Sequence, residues 1–211
     1  MAKLINGVWG AISGKLGNLI GVTRRGVTYL RTIGKPSKKP PTQKQIEQRA
    51  RFKFLHEFLY PFMPWISVGF HNLDSVRTAL NAAFSTNYKK VLKGSYPNFE
   101  IDYTALMISN GPLANISNPI WEVLGADTLE LSWTYPDLKF SQPDDQLMFV
   151  MYDPLLERAH GFIGGVWRSS GKCSIEIHPQ MVGHALELYV SVSALDRKAV
   201  SNSLYLGRIV R

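Results

Sequence analysis

With 211 residues, 45% of them apolar and 11% aromatic, the chain can bury a core as one large domain or two small ones. Its single cysteine, Cys173, excludes an internal disulfide, so folding needs no oxidising compartment. The net charge of +8 is uneven: residues 1–53 hold twelve Lys or Arg against Glu47 alone, a net +11, and residues 54–211 sum to −3.

The opening MAKLINGVWGAISG joins a positive residue to an apolar run, as a signal peptide does. Glycines interrupt that run and no small-x-small cleavage site closes it, so cytoplasmic synthesis is expected, with release only as part of a particle. A ladder of glycines at 7, 10, 14, 17 and 21 follows. As a helix, it would set all five on one face for close backbone packing, at a cost of about 1 kcal/mol per glycine relative to alanine. As extended chain, the glycines would mark turns and bulges. The pattern leaves both open. Residues 4–22 carry only Lys15 as a charge, yet so many glycines make a membrane span a poor expectation.

Leu19–Thr23 and Val27–Thr32 are β-branched or aromatic runs around Arg24-Arg25-Gly26, which reads as a hairpin with a basic tip. Gly34-Lys-Pro-Ser-Lys-Lys-Pro-Pro41 is an extended linker. Thr42-Gln-Lys-Gln45 is a capping box, and Ile46, Ala50, Phe54 and Phe58 recur every four residues after it. Pro61 and Pro64 are expected to end that helix. A second helix is expected over 74–84, capped by Asp74. A strand over 99–109 should turn at Asn110-Gly111.

From Pro119 the texture is strands only, at 120–123, 128–134, 146–153, 160–167, 173–178, 185–194 and 203–210. Alternation at Leu129, Leu131 and Trp133, and at Leu186, Leu188, Val190 and Val192, predicts strands with one packed and one wet face. Seven short strands in so few residues suit a β-sandwich. The fold expected is α+β: an arm over 1–41, a helical and hairpin region over 42–118, and an antiparallel sandwich over 119–211.

Two resemblances sharpen this. Leu129-Glu-Leu-Ser-Trp133, Leu188-Tyr-Val-Ser-Val-Ser-Ala194 and Ser201-Asn-Ser-Leu-Tyr205 resemble the landmarks of a fibronectin type III or other immunoglobulin-like sandwich, which implies a scaffold used for contacts. Over nearly its whole length the chain also resembles a family of bacterial proteins of similar size, a domain of unknown function. The residues that carry this are Gly14-Lys-Leu-Gly17 with Gly21, Tyr29-Leu-Arg31, Pro41-Thr-Gln-Lys-Gln45 with Arg49 and Phe52, Gly94-Ser-Tyr-Pro97, Ile101-Asp-Tyr103 and Ser109-Asn-Gly-Pro-Leu113. The resemblance implies no activity.

Catalytic signatures are missing from the sequence. Gly10-Ala-Ile-Ser-Gly14-Lys15 has three residues between its glycines where a phosphate loop needs four, and Leu16 where a hydroxyl belongs. His178 and His184, six apart, do not share a face, so no metal is expected. Asp144-Asp145 reads as a turn with a weak claim on a cation, and no serine sits in a nucleophile elbow. Neither a cofactor nor an enzyme is expected.

The arm therefore carries the functional expectation. Trp9, Gly14, Gly17, Gly21, Arg24, Arg25 and Arg31 are the candidates for subunit contact in a homo-oligomer, filament or phage-like particle. Lys35, Lys38, Lys39, Lys44, Arg49 and Arg51 are the candidates for phosphate contact if the partner is a nucleic acid. A ligand- or glycan-binding sandwich, with Trp121 and Trp167 as exposed aromatics, is the remaining alternative.

Overall fold

A computed structural model describes residues 3–5, 10–24, 26–36, 38–72, 77–125, 127–135 and 141–210, the first three as backbone only. The chain divides into two compact units, 1–43 and 44–211.

The first unit is an antiparallel meander of β1 (Lys3–Ile5), β2 (Ala11–Leu16), β3 (Leu19–Arg24) and β4 (Val27–Thr32), in that order across the sheet. From Gly10 to Gly21 the glycine ladder is thus not helical but runs through strands and their turns, and Gly7 lies outside the described residues. Two of its glycines show why. Gly17 opens the two-residue turn between the paired Leu16 and Leu19 with φ of 57°, a conformation that suits glycine. Gly21 is buried, and the Ile12 carbonyl lies where a side chain at position 21 would begin. The expected hairpin of β3 and β4 is present, with Arg24 paired to Val27 around the basic tip.

The second unit is entered through α1 (Gln43–Leu59), which starts one residue after Thr42. α1 ends at Leu59, ahead of Pro61 and Pro64 as expected, and the chain then re-enters helical turns at each proline. Each occupies a first-turn position, one in a 3-10 turn at Tyr60–Phe62 and the other in α2 (Met63–Gly69), where a missing N–H costs nothing. The second expected helix is displaced: α3 spans Ala79–Asn87, and its cap is Thr78, whose hydroxyl accepts from the Asn81 N–H at 3.2 Å. Asp74 lies outside the described residues. The strand expected over 99–109 is also corrected. A short hairpin of β5 (Leu92–Ser95) and β6 (Asn98–Ile101) stands there, and the chain beyond it is irregular. Asn110-Gly111 closes no hairpin; Gly111 is needed because the Val200 carbonyl lies where a side chain at position 111 would begin, beside a parallel bridge from Leu113 to Ser201.

The seven C-terminal strands are all present: β7 (Ser117–Val123), β8 (Thr128–Thr134), β9 (Gln146–Asp153), β10 (Arg158–Trp167), β11 (Lys172–Glu176), β12 (Leu186–Ser193) and β13 (Leu204–Ile209). They form two sandwich-like antiparallel sheets, β11-β8-β7 and β10-β9-β12-β13. Leu129, Leu131 and Trp133 of the smaller sheet share one apolar cluster with Leu147, Phe149, Met151, Leu188 and Val190 of the larger.

The larger sheet is buried on its other face too. Met148, Val150, Tyr152 and Tyr189 join Leu55, Leu59, Phe62, Ile66 and Ala83 of the helical region in a second cluster. The wet face expected for β12 is therefore wrong: all eight of its residues are buried, Glu187, Ser191 and Ser193 among them. Buried polar groups must be paired, and several are. The Tyr189 hydroxyl donates to the Tyr103 carbonyl at 2.9 Å, and Tyr205 donates to the Glu187 carboxylate at 2.6 Å.

Candidate functional site

Register divides the arm sheet into two chemically distinct faces. Residues opposite one another in an antiparallel pair share a face, and the pairs are Leu19 with Thr32, Ile20 with Arg31, Gly21 with Leu30, Val22 with Tyr29 and Thr23 with Thr28. Gly14, Lys15 and Leu16 of β2 stand opposite Gly21, Ile20 and Leu19. One face thus presents Gly14, Leu16, Leu19, Gly21, Leu30 and three threonines, with no charge. Thr23 and Thr28 bond to each other there at 3.0 Å. The other face presents Lys15, Arg24 and Arg31 around Ile20, Val22, Val27 and Tyr29.

The expected subunit-contact residues are therefore split. Gly14 and Gly21 belong to the uncharged face, Gly17 to the turn beside it, and Arg24 and Arg31 to the cationic face. Trp9 and Arg25 lie outside the described residues. Little of this sheet is covered: Leu16, Val27 and Leu30 are each more than half exposed. Residues 1–43 hold eight Lys or Arg and no acid, so the chain's whole excess of +8 lies there, and residues 44–211 balance to zero.

The expected phosphate contacts are scattered. Lys35, Lys38 and Lys39 are exposed in the linker. Lys44 and Arg49 are exposed on α1 and border a shallow depression with Gln45 and Gln48. Arg51 is half-buried, its guanidinium 5.7 Å from the Tyr88 ring, whose hydroxyl accepts from Gln48 at 2.7 Å. It serves packing between α1 and the end of α3.

The second unit holds a feature that sequence reasoning missed, a groove of about 480 Å³. Phe54, Phe58, Tyr60, Tyr103 and Tyr152 form its aromatic walls, and Glu57 and Glu157 supply carboxylates. Such a surface suits a cationic or proline-bearing segment. Its residues are up to a hundred positions apart in sequence, so no local pattern announces it. A smaller cavity of about 130 Å³ lies by Arg158, His160, His178 and Gln180. The two imidazoles are 5.3 Å apart, and burial, then the neighbouring His178, lowers the pKa of His160 below its usual 6.5.

Other candidates prove to be structural. Asp145 is no cation ligand; its carboxylate pairs with Arg168 at 3.1 Å, both groups buried, and accepts from the Gln142 N–H at 2.9 Å. Asp153 is buried and bonds His184 at 2.5 Å while accepting from the Leu155 and Leu156 N–H groups in the turn before β10. Burial pushes the Cys173 thiol up to about 11, so it is protonated at neutral pH and unsuited to attack. Trp121 is half-buried and donates to the Leu206 carbonyl at 2.8 Å, whereas Trp167 is 58% exposed. Among the described residues no cluster of three or more His, Cys, Asp or Glu could hold a metal, and no helix is long and apolar enough to cross a membrane.

Comparison with curated proteins gives no match. A family model does match, over residues 10–207, and so takes in β2 to β4, the helices and the seven-strand body together. The chain belongs to the family of unknown function DUF6266.

Proposed function

We propose that the chain is a non-enzymatic structural protein whose N-terminal arm joins subunits in a homo-oligomer, filament or phage-like or surface particle. One observation carries this reading: the arm sheet leaves Leu16, Leu19, Val27, Tyr29, Leu30 and Ile33 between 36% and 57% exposed, while Gly21 is its only buried member among the described residues. A sheet needs a packed apolar face to be stable, and side chains left in water contribute little. Covering this surface with another subunit supplies that burial. Deleting residues 1–40 should lower the mass measured by light scattering, with the body still folded by circular dichroism. An unchanged mass removes the proposal.

For the body, support for a role comes from its sheets. A three-stranded sheet β11-β8-β7 facing a four-stranded sheet β10-β9-β12-β13, with Trp133 in the core between them, supports an immunoglobulin or fibronectin type III-like sandwich over 117–209. In this reading it is a scaffold, and the helices on its far side are an addition to that plan. A second reading, nucleic-acid binding, is favoured by Lys15, Arg24 and Arg31 sharing one face with Tyr29. Affinity for an oligonucleotide should then fall steeply between about 50 and 200 mM salt, and a flat response eliminates it.

A further inference from the structure

The arm has one long free edge. Sheet order ends on β4, whose six residues are all exposed, and among the described residues no strand pairs with its outer side. Natural edges are blunted by proline, by several charges or by brevity, and Val-Thr-Tyr-Leu-Arg-Thr has no proline and one charge. The direction of its backbone groups follows from one bond. The Ile33 N–H donates to the Asn18 carbonyl at 2.9 Å, and alternate residues of an antiparallel ladder face opposite sides. Val27, Tyr29 and Arg31 therefore bond to β3. Thr28, Leu30 and Thr32 turn their N–H and C=O groups outward.

Resting on the reading of the arm as a subunit contact, we propose that β4 pairs antiparallel with β4 of a second copy, about a two-fold axis through Leu30. Three two-fold registers set at least two of the strand's outward-facing residues opposite outward-facing residues of the second copy, and their side chains distinguish them. An axis at Arg31 opposes two guanidinium groups directly, a repulsive arrangement. An axis at Tyr29 brings Thr32 against Gly26 in the turn and keeps about four ladder bonds within the strands. The axis at Leu30 forms about six, setting Thr28 against Thr32 and Leu30 against itself. It also places Tyr29 opposite Arg31 of the second copy, twice, at the closer non-hydrogen-bonded positions, where cation and ring attract. The strand is thus complementary to its own inverse, which identifies a second copy as the occupant. β1, at the other edge, has only three residues, so the pairing closes as a dimer.

The test uses the full chain in a Cys173→Ser background, with Tyr29→Cys and Arg31→Cys made as separate proteins. Under mild oxidation the mixture should form disulfide-linked dimers at least tenfold faster than either protein alone, because only positions 29 and 31 of different copies are opposed. Faster linkage of Tyr29→Cys with itself overturns the register. No linkage at a concentration where light scattering shows oligomers overturns β4 pairing, and if the 1–40 deletion dissociates those oligomers, the arm reading survives that failure. Linkage that appears only after addition of an oligonucleotide also overturns direct pairing and points to nucleic acid as the bridge. As a second variant, Leu30→Pro, which removes an outward N–H, should weaken dimerisation at least tenfold with an unchanged circular dichroism spectrum; unaltered dimerisation counts against the proposal.

Discussion

The Asp145–Arg168 pair offers the most direct test of how the body is held together. Arg168 is completely buried, with Asp145 at 3.1 Å, the Asn115 carbonyl at 2.5 Å and the Tyr135 ring centroid at 5.9 Å from its guanidinium. The Arg168 carbonyl also accepts from the Trp133 indole at 2.8 Å, so the pair anchors the central tryptophan of the smaller sheet. Asp145→Asn keeps the volume and removes the charge, which strands a guanidinium away from water. Breaking a buried pair from one side costs about 3–5 kcal/mol. Against a total stability of about 5–15 kcal/mol this is a large fraction. At about 2–4 °C per kcal/mol for a body of this size, the melting temperature should fall by roughly 6–20 °C. Replacing both partners, Asp145→Leu with Arg168→Met, should recover most of the loss, since no charge is then left unpaired. Calorimetry on the single and double variants reads this directly. A loss below about 1 kcal/mol for Asp145→Asn, or a double variant worse than the single one, would refute the view that the cost lies in the uncompensated charge.

The other expectations concern smaller features. Because burial holds the pKa of His160 below 6.5, the folded chain binds that proton more weakly than the unfolded chain does. Stability contributed there is full above about pH 6.5 and is lost as pH falls towards the folded-state pKa, with His178 and Arg158 as the neighbouring charges; urea titrations of His160→Gln should show a flatter dependence between about pH 7 and 5. Gly21→Val sets a side chain against the Ile12 carbonyl and should disrupt the arm sheet, seen as faster amide exchange over 11–32, while the melting of residues 44–211 stays unchanged. Trp121→Phe leaves the Leu206 carbonyl without its donor and should cost about 1–3 kcal/mol in chemical denaturation.

Legibility tracked how local the determinants are. The seven C-terminal strands could be read because alternation of apolar residues is a local property, and β8 obeys it with Leu129, Leu131 and Trp133 inward. The beginning of α1 could be read from Thr42-Gln-Lys-Gln45 for the same reason. β12 was misjudged because its second face is covered by helices more than a hundred residues earlier, and Glu187, Ser191 and Ser193 read as wet until that layer is known. The prolines at 61 and 64 mark the end of α1 at Leu59 but do not announce the helical turns that follow, because proline breaks a helix interior yet suits a first turn. At Asn110-Gly111 a turn signal was really a demand for space, made by Val200 some ninety residues away. In the candidate site, the charge of the arm was plain from composition. Its division into two faces needed the register, and the aromatic groove needed the whole fold.

The double burial of the four-stranded sheet also has a consequence for the order of synthesis. Leu55, Phe62 and Ile66 leave the ribosome about a hundred residues before Val150 and Tyr189, the strand residues that cover them. At roughly 5–20 residues per second, the helices wait on the order of 5–20 s or longer with their apolar sides uncovered. The nascent chain is therefore most exposed to holding factors and proteases between the emergence of α1 and that of β12, and a ribosome stalled within β9 would display a helical segment that has no sheet to close on.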